Sequence, residues 1–233
     1  MIGVYDYTVI LTYLSLLSGC TGTIIAMSGL GHPYIGMFLM LFSGLCDGFD
    51  GRVARTKKDR TELEKQFGIQ IDSFADLISF GVLPVAIGMS LLRRSVKFYD
   101  MPTYLESGRL QWYPVVLIFI ALFYILAAMI RLAYFNATED EREQEIRENG
   151  VACYTGLPVT AAALVFPMVL LLHYLPRFDL SIVYFVVMLV LGVLFLGRFK
   201  IRKPGKKGVA ILACIGLVEF ITFLVLMRLT SPV

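Results

Sequence analysis

Cysteine is scarce in this 233-residue chain, and its four copies, Cys20, Cys46, Cys153 and Cys214, are scattered without a C-x-x-C pair. That spacing excludes a zinc or disulfide framework. Cys46 adjoins an acidic motif and reads as a small apolar filler in a membrane helix. Histidine is scarcer still: His32 and His173 are the only two, and neither is near the acids along the chain. Both read as interfacial residues rather than ligands. The N-terminal MIGVYDYT lacks a basic n-region and a small-residue cleavage site, so no cleaved signal peptide is expected. Low-complexity tracts, internal repeats and a second domain are missing too, so residues 1–233 are expected to form a single domain.

Apolar residues fill the space that these absences leave. They make up 58% of the chain, with a mean hydropathy of +0.75, where soluble proteins average roughly 45–50%. They also come in long blocks, and a membrane-crossing helix needs about 20 such residues. Seven segments qualify, at 8–29, 33–54, 67–92, 112–135, 157–175, 180–198 and 208–229. The expected fold class is therefore all-α, a polytopic integral membrane helical bundle with about seven transmembrane helices (six to eight).

The net charge of +3 says little, but its distribution gives a topology. One basic connection carries Arg52, Arg55, Lys57, Lys58, Arg60 and Lys65; another carries Arg198, Lys200, Arg202, Lys203, Lys206 and Lys207. Both fall on one side if every segment spans, and the positive-inside rule makes that side cytoplasmic. The N-terminus is then inside and the C-terminus outside. The connection at 93–111 runs against this, with Arg93, Arg94, Lys97 and Arg109 on the side assigned outside. The acidic connection at 137–150 reads as a solvated helical extension or loop, and Trp112 and Tyr113 as interfacial anchors.

Against this background stands the stretch from Cys46 to Asp76, with two aspartate pairs, Asp47/Asp50 and Asp72/Asp76. Carboxylates at membrane depth are costly and mark functional sites. On a helix, Asp47, Asp50, Gly51, Ala54 and Arg55 share one face, and Gly68, Asp72 and Asp76 repeat at i, i+4, i+8. Two helices joined by a short basic connection can lay these stripes together, and the small residues allow close approach. Such acids cannot all stay charged unaided, because like charges repel. An all-oxygen site of this kind suits Mg2+ or Mn2+, as a pair of ions neutralising a phosphoryl group. Arg55 is placed to meet a phosphate oxygen. Two other readings of the acids are a helix-end salt-bridge network and a transporter coupling protons or cations through them.

The pattern Asp47-x-x-Asp50-Gly51-x-x-Ala54-Arg55, then Gly68-x-x-x-Asp72-x-x-x-Asp76, resembles the signature of the CDP-alcohol phosphatidyltransferases. The resemblance implies transfer of a phosphatidyl group from a CDP-linked lipid to an alcohol, with release of CMP. Asp47, Asp50, Asp72 and Asp76 would be metal ligands, with Asp76 also the base for the acceptor hydroxyl. Gly51, Ala54, Arg55 and Gly68 would face the CDP-lipid. The twelve residues between Arg55 and Gly68 exceed the family's usual spacing by about one helical turn.

Further matches resemble the serine-accepting branch of that family. They are Asp72-Ser73-Phe74-Ala75-Asp76-Leu77-Ile78-Ser79-Phe80-Gly81-Val82-Leu83-Pro84, Arg131-Leu132-Ala133-Tyr134-Phe135-Asn136, and Thr155-Gly156-Leu157-Pro158 with Ala161-Ala162-Ala163. Ser15 and Gly19 in the first helix keep a family-like spacing. The implied acceptor is L-serine, with Arg131 the candidate for its carboxylate and Ser73 and Asn136 as polar contacts. Lys207 would meet phosphate or headgroup. Inositol phosphate and glycerol phosphate as acceptors, and an archaeal dialkylglycerol donor, remain open. A homodimer in the cytoplasmic or endoplasmic-reticulum membrane, its active site facing the cytoplasm, completes the expectation.

Overall fold

The computed structural model describes residues 2–29, 32–95, 112–139, 141, 144, 153–174, 181–202 and 206–230. Its elements are α1 (Ile10–Ser28), α2 (Pro33–Ala54), α3 (Glu62–Asp76), a π-helical turn (Leu77–Val82), α4 (Leu83–Arg94), α5 (Trp112–Ala137), β1 (Cys153–Thr155), a 3-10 turn (Val159–Ala161), α6 (Ala162–Tyr174), α7 (Ser181–Leu196), β2 (Lys200–Arg202) and α8 (Lys206–Thr230). Because α3, the π turn and α4 run on as one rod, the described residues form seven helical rods, as the sequence predicts. Three of them, Ile10–Ser28, Glu62–Arg94 and Pro114–Ala137, are long and apolar enough to cross a bilayer. The protein is a helical membrane bundle.

The third rod begins at Glu62, five residues before the expected 67. A capping box sets that start: the Glu64 N–H donates to Thr61 Oγ1 at 3.2 Å, and the Thr61 N–H donates to Glu64 Oε2 at 2.8 Å. Part of the long connection is thus helix. His32, read as interfacial, caps α2 ahead of Pro33, its ring accepting from the Tyr34 N–H.

Small side chains let α1, α2 and the π turn meet closely. Ser18 Oγ donates to the Leu39 carbonyl at 2.8 Å, and the Ser15 carbonyl accepts from Ser43 Oγ at 3.0 Å and Ser79 Oγ at 3.2 Å. A Cβ on Gly19 would stand 3.0 Å from Ser79 Cα, so that crossing admits no side chain at 19. Hydroxyl-to-carbonyl bonds of this sort bind helices where no hydrophobic effect separates helix from lipid.

The π turn follows directly from Asp76 and has an identifiable cause. Pro84 brings no N–H, so a carbonyl one turn earlier loses its helical donor. Phe80's carbonyl accepts instead from the buried Tyr124 hydroxyl of α5 at 2.7 Å, and Pro84's from the buried Tyr184 hydroxyl of α7 at 2.9 Å. Both tyrosines pack against Phe166, with ring centroids 5.7 and 4.8 Å away. This aromatic cluster is the centre of the core.

Two features differ from the sequence reading. A short antiparallel ribbon pairs Cys153, Tyr154 and Thr155 with Arg202, Ile201 and Lys200. Segment 157–161, expected to open the fifth helix, is a Pro-led entry to α6. Gly156 makes the bend at φ 80°, its N–H donating to the Phe199 carbonyl at 2.6 Å; a Cβ there would lie 2.6 Å from the Gly197 carbonyl oxygen. Arg93, a charge on the side assigned outside, donates to the Ala26 and Met27 carbonyls at 2.8 and 3.0 Å and so closes the last turn of α1. Lys97, Arg109, Lys203 and most of the acidic connection at 137–150 lie outside the described residues, as do the side chains of Tyr113, His173 and Lys207.

Replacing Tyr124 with Phe should leave the Phe80 carbonyl unsatisfied at a cost of about 1–3 kcal/mol. Thermal melting in detergent is expected to show a lower midpoint for Tyr124→Phe, and an unchanged midpoint would rule out this role for the hydroxyl.

Candidate metal centre

The end of α2 and the interior of the rod Glu62–Arg94 build the centre. Asp47 and Asp50 sit in the last two turns of α2, and Asp72 and Asp76 in the last two turns of α3. The crossing brings Asp47, Asp50 and Asp72 together, with one carboxylate oxygen of each within 4.8 Å of the others. Asp50 and Asp76 are buried, and Asp76 feels the charges of Asp47, Asp72 and Asp50. Asp72 of the second expected stripe thus meets both acids of the first. This is an all-oxygen donor set beside apolar helices, and it fits a hard divalent cation.

Asp50 is held from behind by Thr12 of α1, whose hydroxyl donates to Asp50 Oδ2 at 3.1 Å in a buried contact. The sequence reading missed Thr12. Its signal was present, since Thr12, Ser15 and Gly19 form an i, i+3, i+7 stripe of small residues on α1. Orienting partners of this kind fix the ligand oxygens of metal sites.

On α2, Arg55 folds back over Gly51, its two terminal nitrogens 3.8 Å from where a Cβ would stand. The Arg55 charge also acts favourably on the Asp50 carboxylate. Ala54 closes α2 just before it. On α3, Gly68 lies under the guanidinium of Arg60, whose Nη2 is 2.8 Å from a Cβ built there.

The residues assigned to an acceptor divide. Asn136 Nδ2 of α5 donates to Ser73 Oγ at 2.8 Å, beside Asp72. Arg131 is buried; its Nε donates to the Leu157 carbonyl at 3.0 Å, and its guanidinium lies 5.7 Å from the Phe135 ring centroid. Arg131 therefore faces the bend after β1, while Ser73 and Asn136 face the metal helix. Lys207 starts α8.

The long connection between α2 and α3 is fastened at both ends. Lys57 Nζ donates to Asp6 Oδ2 at 2.8 Å and Glu64 Oε1 at 2.7 Å, and Thr56 Oγ1 meets the Tyr7 hydroxyl at 3.3 Å. Hydrogen bonding to Asp6 and then Glu64 holds the Lys57 ammonium above its ordinary range, and the Lys57 hydrogen bond brings Asp6 down to about 2 from 3.8. The fastening by Asp6 is thus in place above pH 4 and lost as pH falls toward 2.

A helical membrane bundle with three carboxylates gathered within reach of one ion defines a class of membrane protein able to hold a divalent cation. Within that class, the chain belongs to the CDP-alcohol phosphatidyltransferase family, whose model matches residues 8–198. Its relatives include proteins named CDP-diacylglycerol–serine O-phosphatidyltransferase. That of Mycobacterium tuberculosis (strain H37Rv) is 29% identical over 64% of this chain and 44% of its own. That of Bacillus subtilis (strain 168) is 30% identical over 61% and 64%, and that of Helicobacter pylori (strain 26695) 32% identical over 74% and 61%. The chain thus spans about half the length of the curated relatives it matches.

Thr12→Val should remove the donor behind Asp50 and weaken metal affinity about 10–100-fold. Titrating Mn2+ against the purified protein checks this. Affinity equal to wild type would show that Thr12 only packs.

Proposed function

We propose that this protein transfers the phosphatidyl group of CDP-diacylglycerol to the hydroxyl of L-serine, giving phosphatidylserine and CMP. The observation that carries the reading is the meeting of Asp47, Asp50 and Asp72 within 4.8 Å, with Arg55 laid over Gly51 beside them. A salt-bridge network does not account for it: the ion pairs among the described residues are Lys57–Asp6, Lys57–Glu64 and Lys65–Glu62, and none uses the four aspartates. Relatives named for serine as the acceptor support that choice of alcohol.

Asp47, Asp50, Asp72 and Asp76 would hold the metal. Bound Mg2+ or Mn2+, as a pair of ions, would neutralise the donor diphosphate and stabilise the leaving group. Gly51, Ala54 and Arg55 line the approach of the diphosphate, with Arg55 donating to its oxygens. Asp76 takes the proton from the serine hydroxyl. The hydroxyl oxygen bonds to the lipid-side phosphorus as that phosphorus loses its bond to the CMP oxygen, and CMP leaves with the electron pair. Ser73 and Asn136 orient serine beside Asp72, and Arg131 stands for its carboxylate. Lys207 meets the headgroup. The site faces the cytoplasm in a cytoplasmic membrane, in a homodimer of single-domain chains.

Purified protein given CDP-diacylglycerol, Mn2+ and either L-serine, inositol phosphate or glycerol phosphate should release CMP with serine. Faster release with another alcohol would replace serine as the acceptor. Asp76→Asn should lower turnover by roughly 10²–10⁴ while still binding CDP-diacylglycerol. Turnover near that of wild type would remove Asp76 as the base.

A further inference from the structure

The two helices of the metal centre are dressed alike in one respect that the acid motif does not include. Each carries a glycine on its acid-bearing stripe, and each glycine is covered by a guanidinium. Arg55 covers Gly51 at 3.8 Å, and Arg60 covers Gly68 with Nη2 at 2.8 Å from a Cβ position. Arg55 belongs to the acid motif. Arg60 comes from the long connection.

Arg60 is placed with care. Lys57, bonded to Asp6 and Glu64, pins the connection three residues before it. The Thr61 capping box fixes the backbone immediately after it. Its Nη2 donates to the Glu64 carbonyl at 3.1 Å, and its Nε is buried without a hydrogen-bond partner among the described residues. An ion pair would be the usual reason for such placement, yet Arg60 makes none among those residues. A buried donor without an acceptor is costly unless a ligand supplies one.

We propose that Arg60 is a specificity residue for the donor, meeting the nucleoside end of the CDP-linked lipid. This inference rests on the donor reading given above. With the diphosphate on Asp47, Asp50, Asp72 and Arg55, the nucleoside must extend away from the acids. Gly68 lies one helical turn from Asp72, about 6 Å along α3, toward the end where Arg60 sits. A guanidinium offers donors only. Cytosine presents adjacent acceptors, N3 and O2, whereas uracil carries a proton on N3. The fork at Arg60 therefore selects cytosine by its acceptor pair, as bidentate contacts discriminate bases elsewhere.

The test is binding of CMP and UMP to purified protein in Mg2+, alongside CMP release from CDP-diacylglycerol. Wild type should prefer CMP by about tenfold, and Arg60→Ala should lose that preference by weakening CMP and leaving UMP unchanged. Arg60→Lys keeps the charge without the fork and should lose the preference too. Gly68→Ala displaces the guanidinium's tip and should act in the same direction. Melting temperatures near that of wild type accompany these changes, because Lys57 and the Thr61 cap are untouched. A wild type that releases CMP while Arg60→Ala or Arg60→Lys keeps the full preference overturns this inference and leaves the donor reading standing. A wild type that neither binds CMP nor releases it overturns both.

Discussion

Carboxylates that would repel one another are held where the last turns of α2 meet the rod Glu62–Arg94, and the rest of the bundle is arranged to make that tolerable. Backbones must approach closely for Asp47, Asp50 and Asp72 to share one space. Ser15, Gly19, Ser43 and Ser79 permit it, and the Ser43 and Ser79 hydroxyls both donate to the Ser15 carbonyl across the crossing. The same closeness brings Thr12 to Asp50. Had α1 carried a Leu at 19, the backbone of the π turn would have to move, and α1 would stand off from both helices. The placement of the acids therefore depends on small residues a helix away.

The π turn solves a second conflict on the same rod. Below it, α3 must present Gly68, Asp72 and Asp76 on one stripe toward α2. Above it, Leu83, Ala86, Ile87 and Leu91 must face the core. A π turn holds an extra residue, so it rotates one stripe relative to the other without ending the helix. The cost falls on the Phe80 carbonyl one turn before Pro84, and Tyr124 satisfies it, while Tyr184 adds a bond to the Pro84 carbonyl. Functional register and packing register can then be chosen separately.

Much of this was legible in the sequence, but unevenly. The seven rods follow from the seven apolar blocks, although only three of them reach the length and hydropathy that a bilayer crossing asks for. The aspartate stripes follow from helical spacing. Which face of a helix points inward does not follow, since lipid and core are equally apolar. Leu45 and Phe49 are exposed to the lipid side of α2 while its acids point inward, the reverse of a soluble helix. Inward faces are written in small residues and acids, which is why the Thr12 stripe was readable yet missed. The β1–β2 ribbon had no signal: three residues per strand give no periodicity, and its pairing links positions far apart in the chain. The capping box at Thr61 and Glu64 was in plain sight, and it moves the third helix back into the connection.

The ribbon matters because of what α5 does with it. At Tyr124, α5 holds the π turn; at Asn136 it holds Ser73, next to Asp72; at Arg131 it holds the Leu157 carbonyl. Leu157 follows Gly156, whose N–H is tied to Phe199 at the start of the basic connection. The metal helix, the acceptor candidates and the basic connection are thus linked through a single helix by hydrogen bonds of 2.6–3.0 Å. Each of those bonds uses a buried or half-buried donor, which is expensive to release. Carried by α5, Asn136 and Arg131 belong to the same rigid helix that grips the π turn through Tyr124, so the contact beside Asp72 and the contact at the Leu157 bend share one support.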